Sequence, residues 1–492
     1  MYSLGFGLRL GFSQTLVSVR STMKKMQGMM QNLKNTVSRT VLIGCVVGAS
    51  AVCGVGSAQA ENLLNALAKA YATNPTLQSA RATTRATDEG VAQAIAGWRP
   101  ALSVSGTSSI KQQETSAAPG NEISTKPRTL ALNLSQSLYA GGQTSANISS
   151  AENAVRAQRA RLLTSEQTVL LNAATAYLNV LRDQAVVELN AKNELVLASQ
   201  LEATQDRFNV GEITRTDVHQ AESRLAGTTA DRIQAEGTLE SSRAAYANLM
   251  GEAPTLLDAP KLSLPLPASL AEALKLADQS NPTVVAAEFD EKAAVDAIDS
   301  TRGQLLPSVD LSGSAARSLE TSSKDYWANA YEAKVTMSVP LYQSGTVYSK
   351  LRQARQTASA SRLTTDQTRR NVAEQVRTAW ETLASTRARI EAIKTQVRAA
   401  ETALEGVQRE ASVGSRTVLD VLDAEQELLD ARVNLVKSQR DETVAELTLL
   451  SSIGSLTARD LNLAVDLYDA QGHYLDVRDK WFGGDVGDNA VK

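Results

Sequence analysis

Asn74-Pro75-Thr76 returns 207 residues later as Asn281-Pro282-Thr283, and the Pro100 that closes Gly97-Trp98-Arg99-Pro100 returns at the same offset as the Pro307 that closes Gln304-Leu305-Leu306-Pro307. Further on, Leu138-Tyr139-Ala140-Gly141-Gly142 is matched by Leu341-Tyr342-Gln343-Ser344-Gly345. Val210-Gly211 with Asp217-Val218 is matched by Val413-Gly414 with Asp420-Val421, the offset now being 203. Four residues were therefore lost between Gly106 and Leu138 of the first copy and their counterparts. A period near 205 residues is far too long for a solenoid unit, so each copy must be a whole supersecondary assembly. Length alone would suggest about three domains. The duplication argues instead for two equivalent halves, residues 61–267 and 268–453, between a leader (1–60) and a tail (454–492) that is either equatorial or disordered.

The leader reads as an export signal. Lys24, Lys25, Lys34 and Arg39 form a positive flank, residues 41–55 are apolar or small, and Ala58-Gln59-Ala60 is a small-x-small cleavage site that would leave Glu61 as the mature start. The apolar run falls short of the ~20 residues a membrane helix needs. The long positive flank suggests that translation begins at Met23, Met29 or Met30. Leu42-Ile43-Gly44-Cys45 resembles a lipid-attachment motif, but only Thr40 and Val41 separate it from Arg39, so no lipid is expected. Both cysteines, Cys45 and Cys53, precede Glu61, which removes disulfides, thiolate metal sites and cysteine nucleophiles from the mature chain. Six basic and no acidic residues precede Glu61, leaving 44 basic against 53 acidic afterwards, a net charge near −9. That balance disfavours nucleic acid as a partner.

Within each half the hydrophobic period switches from helical to strand-like and back. Asn74 and Asn281 suit the N-cap, and the prolines after them suit the first helical position. Helices are expected near 75–97, 143–209, 215–250, 282–304, 346–412 and 418–452. Residues 143–209 contain neither proline nor glycine, and a helix of that length is ~100 Å long. Leu162/Leu163, Val169/Leu170 and Ala176/Tyr177 recur every seven residues, as do Val421/Leu422, Leu428/Leu429 and Leu435/Val436, which is coiled-coil spacing. Gly211 and Gly414 supply helix-ending turns. Two-residue alternation predicts strands near 101–112, 127–138, 308–319 and 330–341, with polar connections at 111–127 and 317–325. Four strands cannot close a barrel, and an open edge in a bilayer leaves backbone groups unpartnered. Membrane strands would therefore need several chains, eight strands for two copies or twelve for three. Tyr326, Trp327 and Tyr331 suit an interfacial girdle or packing beneath a loop.

The duplicated helix-strand-helix plan, the leader, the Asn-Pro that opens each half and above all the run Val413-Gly414-Ser415-Arg416-Thr417-Val418-Leu419-Asp420-Val421-Leu422-Asp423 resemble the TolC-like outer-membrane efflux proteins. The resemblance covers nearly all of residues 61–463. It implies a mainly α fold with membrane β: a trimer whose chains each give four strands to a twelve-stranded barrel and build a long α-helical coiled-coil tunnel. It also implies a place in the outer membrane of a Gram-negative bacterium, in contact with its lipid and extending into the periplasm. The expected partners are an adaptor protein and an inner-membrane transporter of the RND, ABC or MFS type, in efflux or type I secretion. Neither cofactor nor resident metal is implied.

Thr214-Arg215-Thr216-Asp217 and Thr417-Val418-Leu419-Asp420 each follow a helix-ending glycine and have the Thr-x-x-acid form of a capping box. Asp423 lies three residues beyond Asp420 on the same helix face, and its counterpart in the first copy is the neutral Gln220. The resemblance assigns Asp420 and Asp423 to a carboxylate ring at the periplasmic entrance, with crowded charges whose proton affinity is raised. It assigns Arg416 to a latch with Thr216 and Asp217. The gate tyrosine of the family corresponds here to Ala411. Two other classes compete. An enzyme finds little support, since His219 and His473 are the only histidines and no nucleophile motif or phosphate-binding loop is present. A periplasmic coiled-coil adaptor or structural rod would account for the helices and leave the strands without purpose.

Overall fold

A computed structural model describes residues 61–115, 118–260 and 264–485. The leader, the cleavage site and the cysteines lie outside the described residues. Glu61 itself is 9 % exposed, and its backbone N–H donates to Leu256 O at 2.7 Å. Its carbonyl accepts from Tyr177 Oη at 2.6 Å. Its carboxylate accepts from Tyr246 Oη at 3.0 Å and pairs with Lys69 at 2.9 Å.

The first half contains α1 (Leu63–Thr73), α2 (Pro75–Ile95), β1 (Ala101–Ser108), β2 (Lys111–Thr115), β3 (Ala118–Thr125), β4 (Arg128–Ala140), α3 (Gln143–Asn209) and α4 (Arg215–Met250). The second contains α5 (Leu270–Ser280), α6 (Pro282–Gly303), β5 (Ser308–Leu319), β6 (Trp327–Ser338), α7 (Thr346–Ser412) and α8 (Val418–Ile453), and a short α9 (Gly472–Arg478) lies in the tail. Helices α3 and α7 are each 67 residues long, and α4 and α8 each 36. Each long helix is thus far longer than the helix it returns along. Besides α4, both α2 and α6 pack against α3.

The Asn-Pro motif is the joint between the two shorter helices. Asn74 Oδ1 accepts from Thr76 N at 3.0 Å, capping α2, while its Nδ2 donates to Leu249 O at 3.1 Å, satisfying a carbonyl that α4 leaves open at its end. Asn281 repeats both bonds, accepting from Thr283 N at 2.8 Å and donating to Ser452 O of α8 at 2.8 Å. Both asparagines are 4 % exposed. The joint is tight: a Cβ on Gly454 would lie 2.6 Å from Ser280 O. Around these joints lies the main core, where Leu63 and Leu67 of α1, Leu170 and Tyr177 of α3, Val376 of α7 and Leu450 of α8 are buried together.

The strands form one antiparallel sheet in the order β1-β4-β5-β6, so the two hairpins join through β4 and β5, with Leu132 opposite Ala315. Alternation separates the faces, with Gln136, Arg317 and Asn329 as polar exceptions on the apolar side. Leu102, Val104, Leu130, Leu132, Val309, Leu311, Tyr331, Val335 and Met337 fall on one face by register; Ser103, Ser105, Asn133, Asp310, Ser312 and Lys334 fall on the other. The apolar face is bare, with Leu102 at 68 % and Val335 at 63 % exposure. The expected polar connection over 111–127 is instead the strand pair β2 and β3, Lys111 opposite Thr125, joined to the sheet by Ser109 N donating to Pro127 O at 2.9 Å. The apolar alternation that marks a strand facing an apolar phase is missing there. Backbone pairing continues without it, and so the first hairpin outreaches the second. β6 begins three residues earlier than the apolar pattern suggested, because Trp327 pairs with Leu319. Among the described residues no helix is long and apolar enough to cross a membrane.

Candidate gate at the helical turns

Two turns reverse the chain at the end of the helices remote from the sheet, one between α3 and α4, the other between α7 and α8. Gly211 and Gly414 each have φ +82°, a left-handed conformation in which a side chain would be strained. The following residue closes each turn, Glu212 N donating to Arg207 O at 2.9 Å and Ser415 N to Glu410 O at 3.0 Å. Capping boxes then start the next helices. Thr214 N donates to Asp217 Oδ2 at 2.9 Å, and Thr417 N to Asp420 Oδ2 at 2.9 Å. Asp217 N and Asp420 N donate back to the threonine hydroxyls at 3.4 and 3.2 Å.

A small apolar cluster fastens the second turn to the first pair of helices: Val418 and Leu422 of α8 pack on Leu197 of α3 and Ala221 of α4. At its rim Arg224 of α4 forms an ion pair with Asp423, both half exposed. The spacing along α8 left Asp423 without a structural role; it has one, as the partner of Arg224. That partner sits on another helix, which no spacing within α8 reveals. Nor does the sequence mark Glu410. It accepts from Arg416 Nε at 2.9 Å, and Asp420 Oδ1 lies 3.8 Å from Arg416 Nη1. Among the described residues of this one chain, therefore, Arg416 is engaged by Glu410 and Asp420, whereas Asp217 is engaged by Thr214, and Thr216 is exposed. Hydrogen bonds from the Thr417 hydroxyl and then its backbone N–H hold the Asp420 carboxyl below the usual carboxylate range. Within one chain this is opposite to the rise expected from a crowded ring, because the cap favours the charged form. His219 is exposed and meets Glu222 at 2.9 Å. No group of three or more His, Cys, Asp or Glu able to hold a metal occurs among the described residues.

The family model described as outer membrane efflux protein matches this chain twice, over residues 66–252 and 273–455. The chain belongs to the outer membrane efflux protein family. It is 34 % identical over 428 residues to the outer membrane efflux protein BepC of Brucella suis biovar 1 (strain 1330), covering 87 % of this chain and 92 % of that one. To the outer membrane protein TolC of Vibrio cholerae serotype O1 it is 29 % identical over 413 residues, covering 82 % and 92 %. In fold it is similar to the solved CusC, with a TM-score of 0.73 at 19 % identity over 80 % of this chain and 92 % of that one. This family of outer-membrane channel proteins accounts for the sheet at one end of the helices and the turns at the other.

Proposed function

We propose that three copies of this chain stand in parallel and close one twelve-stranded antiparallel barrel in the outer membrane, continued into the periplasm by one α-helical tunnel. The chain serves as the outer-membrane exit duct of an efflux or type I secretion system, passing cargo onward without a chemical step. The cargo arrives from an inner-membrane transporter through a periplasmic adaptor. The observation that carries this reading is the sheet: a bare apolar face, a polar opposite face and two edges, β1 and β6, that have no partner strand among the described residues. Because each neighbour is antiparallel, β1 and β6 run in opposite directions. The β6 of one copy can therefore continue the ladder with the β1 of the next. In lipid, each edge group left unpaired costs several kcal/mol, so closure between copies is favoured over an open sheet. The apolar face then meets acyl chains and the polar face lines the pore.

The internal duplication gives each copy two helix-turn-helix arms, which suits a tunnel of pseudo-sixfold symmetry. At its mouth Asp420 and Asp423 from three chains would set six carboxylates about one axis, attracting multivalent cations. Arg416 can exchange its partners Glu410 and Asp420 for Thr216 and Asp217 of a neighbouring copy, so that the latch lies between chains. Native mass spectrometry of protein extracted in mild detergent should give an assembly of three chains. A chain that leaves membranes without detergent and stays monomeric would be an adaptor or rod instead.

A further inference from the structure

The tail climbs. Tyr468 N bonds to Tyr71 Oη at 3.1 Å, and Arg81 of α2 stacks against both tyrosine rings, 4.5 and 5.2 Å from their centroids. His473 then meets Asp88 at 3.2 Å, further along α2. Finally Arg99, beyond the end of α2 and two residues before β1, donates to Lys480 O at 2.6 Å and lies 4.9 Å over the ring of Trp481. As the tail advances, its partners advance along residues 71, 88 and 99, from the core towards the base of the sheet. It delivers Trp481 and Phe482 there with 58 % and 87 % of their surface bare.

That base already carries other exposed aromatic side chains. Trp98 is 37 % exposed, and its carbonyl accepts from Gln136 of β4 at 3.1 Å. Tyr139 near the end of β4 and Tyr342 just past β6 are 43 % and 81 % exposed. Tryptophan and tyrosine gather where an apolar phase meets water, because the ring prefers the former and its polar atom the latter. We infer that Trp481-Phe482 is a membrane-interface anchor, lying in the headgroup layer of the periplasmic leaflet beside Trp98, Tyr139 and Tyr342 and tethering the tail to the bilayer. The occupant is lipid because the segment is continuous with the apolar face of the strands, which begins at Leu102. The inference rests on the membrane-barrel reading above.

The test uses tryptophan fluorescence of the full chain in phosphatidylcholine vesicles, plain or brominated on the acyl chains. The emission that Trp481→Phe removes is the Trp481 signal. It should be weaker by roughly twofold or more with bromines placed just below the headgroups, and less affected by bromines near the bilayer centre. A Trp481 signal indifferent to bromine overturns the inference, whether water or a second copy covers the segment. Val335→Trp, made in the Trp481→Phe chain, reports the barrel separately, since Val335 lies within the bare apolar face. Quenching there without quenching at Trp481 sinks the anchor alone. No quenching at either position sinks the barrel reading with it.

Discussion

The turn at Gly211 and the turn at Gly414 share a backbone, with the same φ, the same closing hydrogen bond and the same Thr-to-Asp capping box. Their side chains differ in sign. In the first, Arg207 before the glycine pairs at 3.1 Å with Glu212 after it; in the second, Glu410 stands before the glycine and Arg416 after it. The second arrangement is the less natural at a helix end, because the carboxylate of Glu410 faces the negative end of the α7 dipole. Further along, His219 and Gln220 of the first turn are replaced by Leu422 and Asp423 of the second, the first buried on α3 and α4, the second paired with Arg224. What both turns share makes a chain reversal. What only the second possesses makes a docked, acidic tip, and there a gate can be sought.

The contrast breaks most readily at the docking contact. Leu422 is 2 % exposed, so Leu422→Ala should cost about 2–4 kcal/mol per chain, seen as a large loss in denaturant midpoint. His219→Ala at the equivalent position should stay within about 0.5 kcal/mol. Equal losses would mean that the tips are docked alike. Next in size is charge. Asp423→Ala should raise the concentration of a multivalent cation that half-blocks single-channel current roughly tenfold when it is added from the periplasmic side. Gln220→Asp, which gives the first turn what only the second has, should lower it. Block unchanged in both would reduce Asp423 to the ion-pair partner of Arg224.

Capping should show no contrast at all. Thr214→Ala and Thr417→Ala should each cost about 1 kcal/mol, since the boxes have the same bonds. Because Thr417 holds the Asp420 carboxyl below its unfolded value, the stability this gives is present above the ordinary carboxylate range and is lost as pH falls through the lower folded value. Melting curves across acid pH should therefore lose part of their slope in Thr417→Ala. The smallest effect belongs to Arg224→Ala, about 0.5 kcal/mol or less for a half-exposed pair. Its sharper readout is tighter cation block, from an Asp423 left without its counter-charge.

The long helices could be read from the sequence because residues 143–209 hold neither Gly nor Pro and the turn glycines and Thr-x-x-Asp boxes mark their ends. The sheet could be read where apolar residues alternate, as at Leu102 and Val104, and not at β2 and β3, where the strands pair without that alternation. Helix α1 is not legible in the sequence, because the same Asn74 both ends it and starts α2. Within the candidate gate the caps were legible, being local. Glu410 and Arg224 were not, since their pairings depend on how a turn folds back and on which helix lies alongside. The tail offered Trp481 and Phe482 without context, and the context is Arg99, far away in the chain.

The Asn-Pro joints also assign unequal duties to the two sides of each arm. On one side α3 and α7 are unbroken counts of 67 peptide units; on the other, two shorter pieces abut at Asn74 or Asn281. Only the unbroken member can act as a ruler. At 1.5 Å per unit it fixes the distance from sheet to turns, and removing one heptad from it would shorten that distance by about 10 Å. The spliced member has a seam at which the loss could be taken up, so a matched deletion in α3 and α7 should yield a shorter duct, while a deletion in one alone should tilt the mouth.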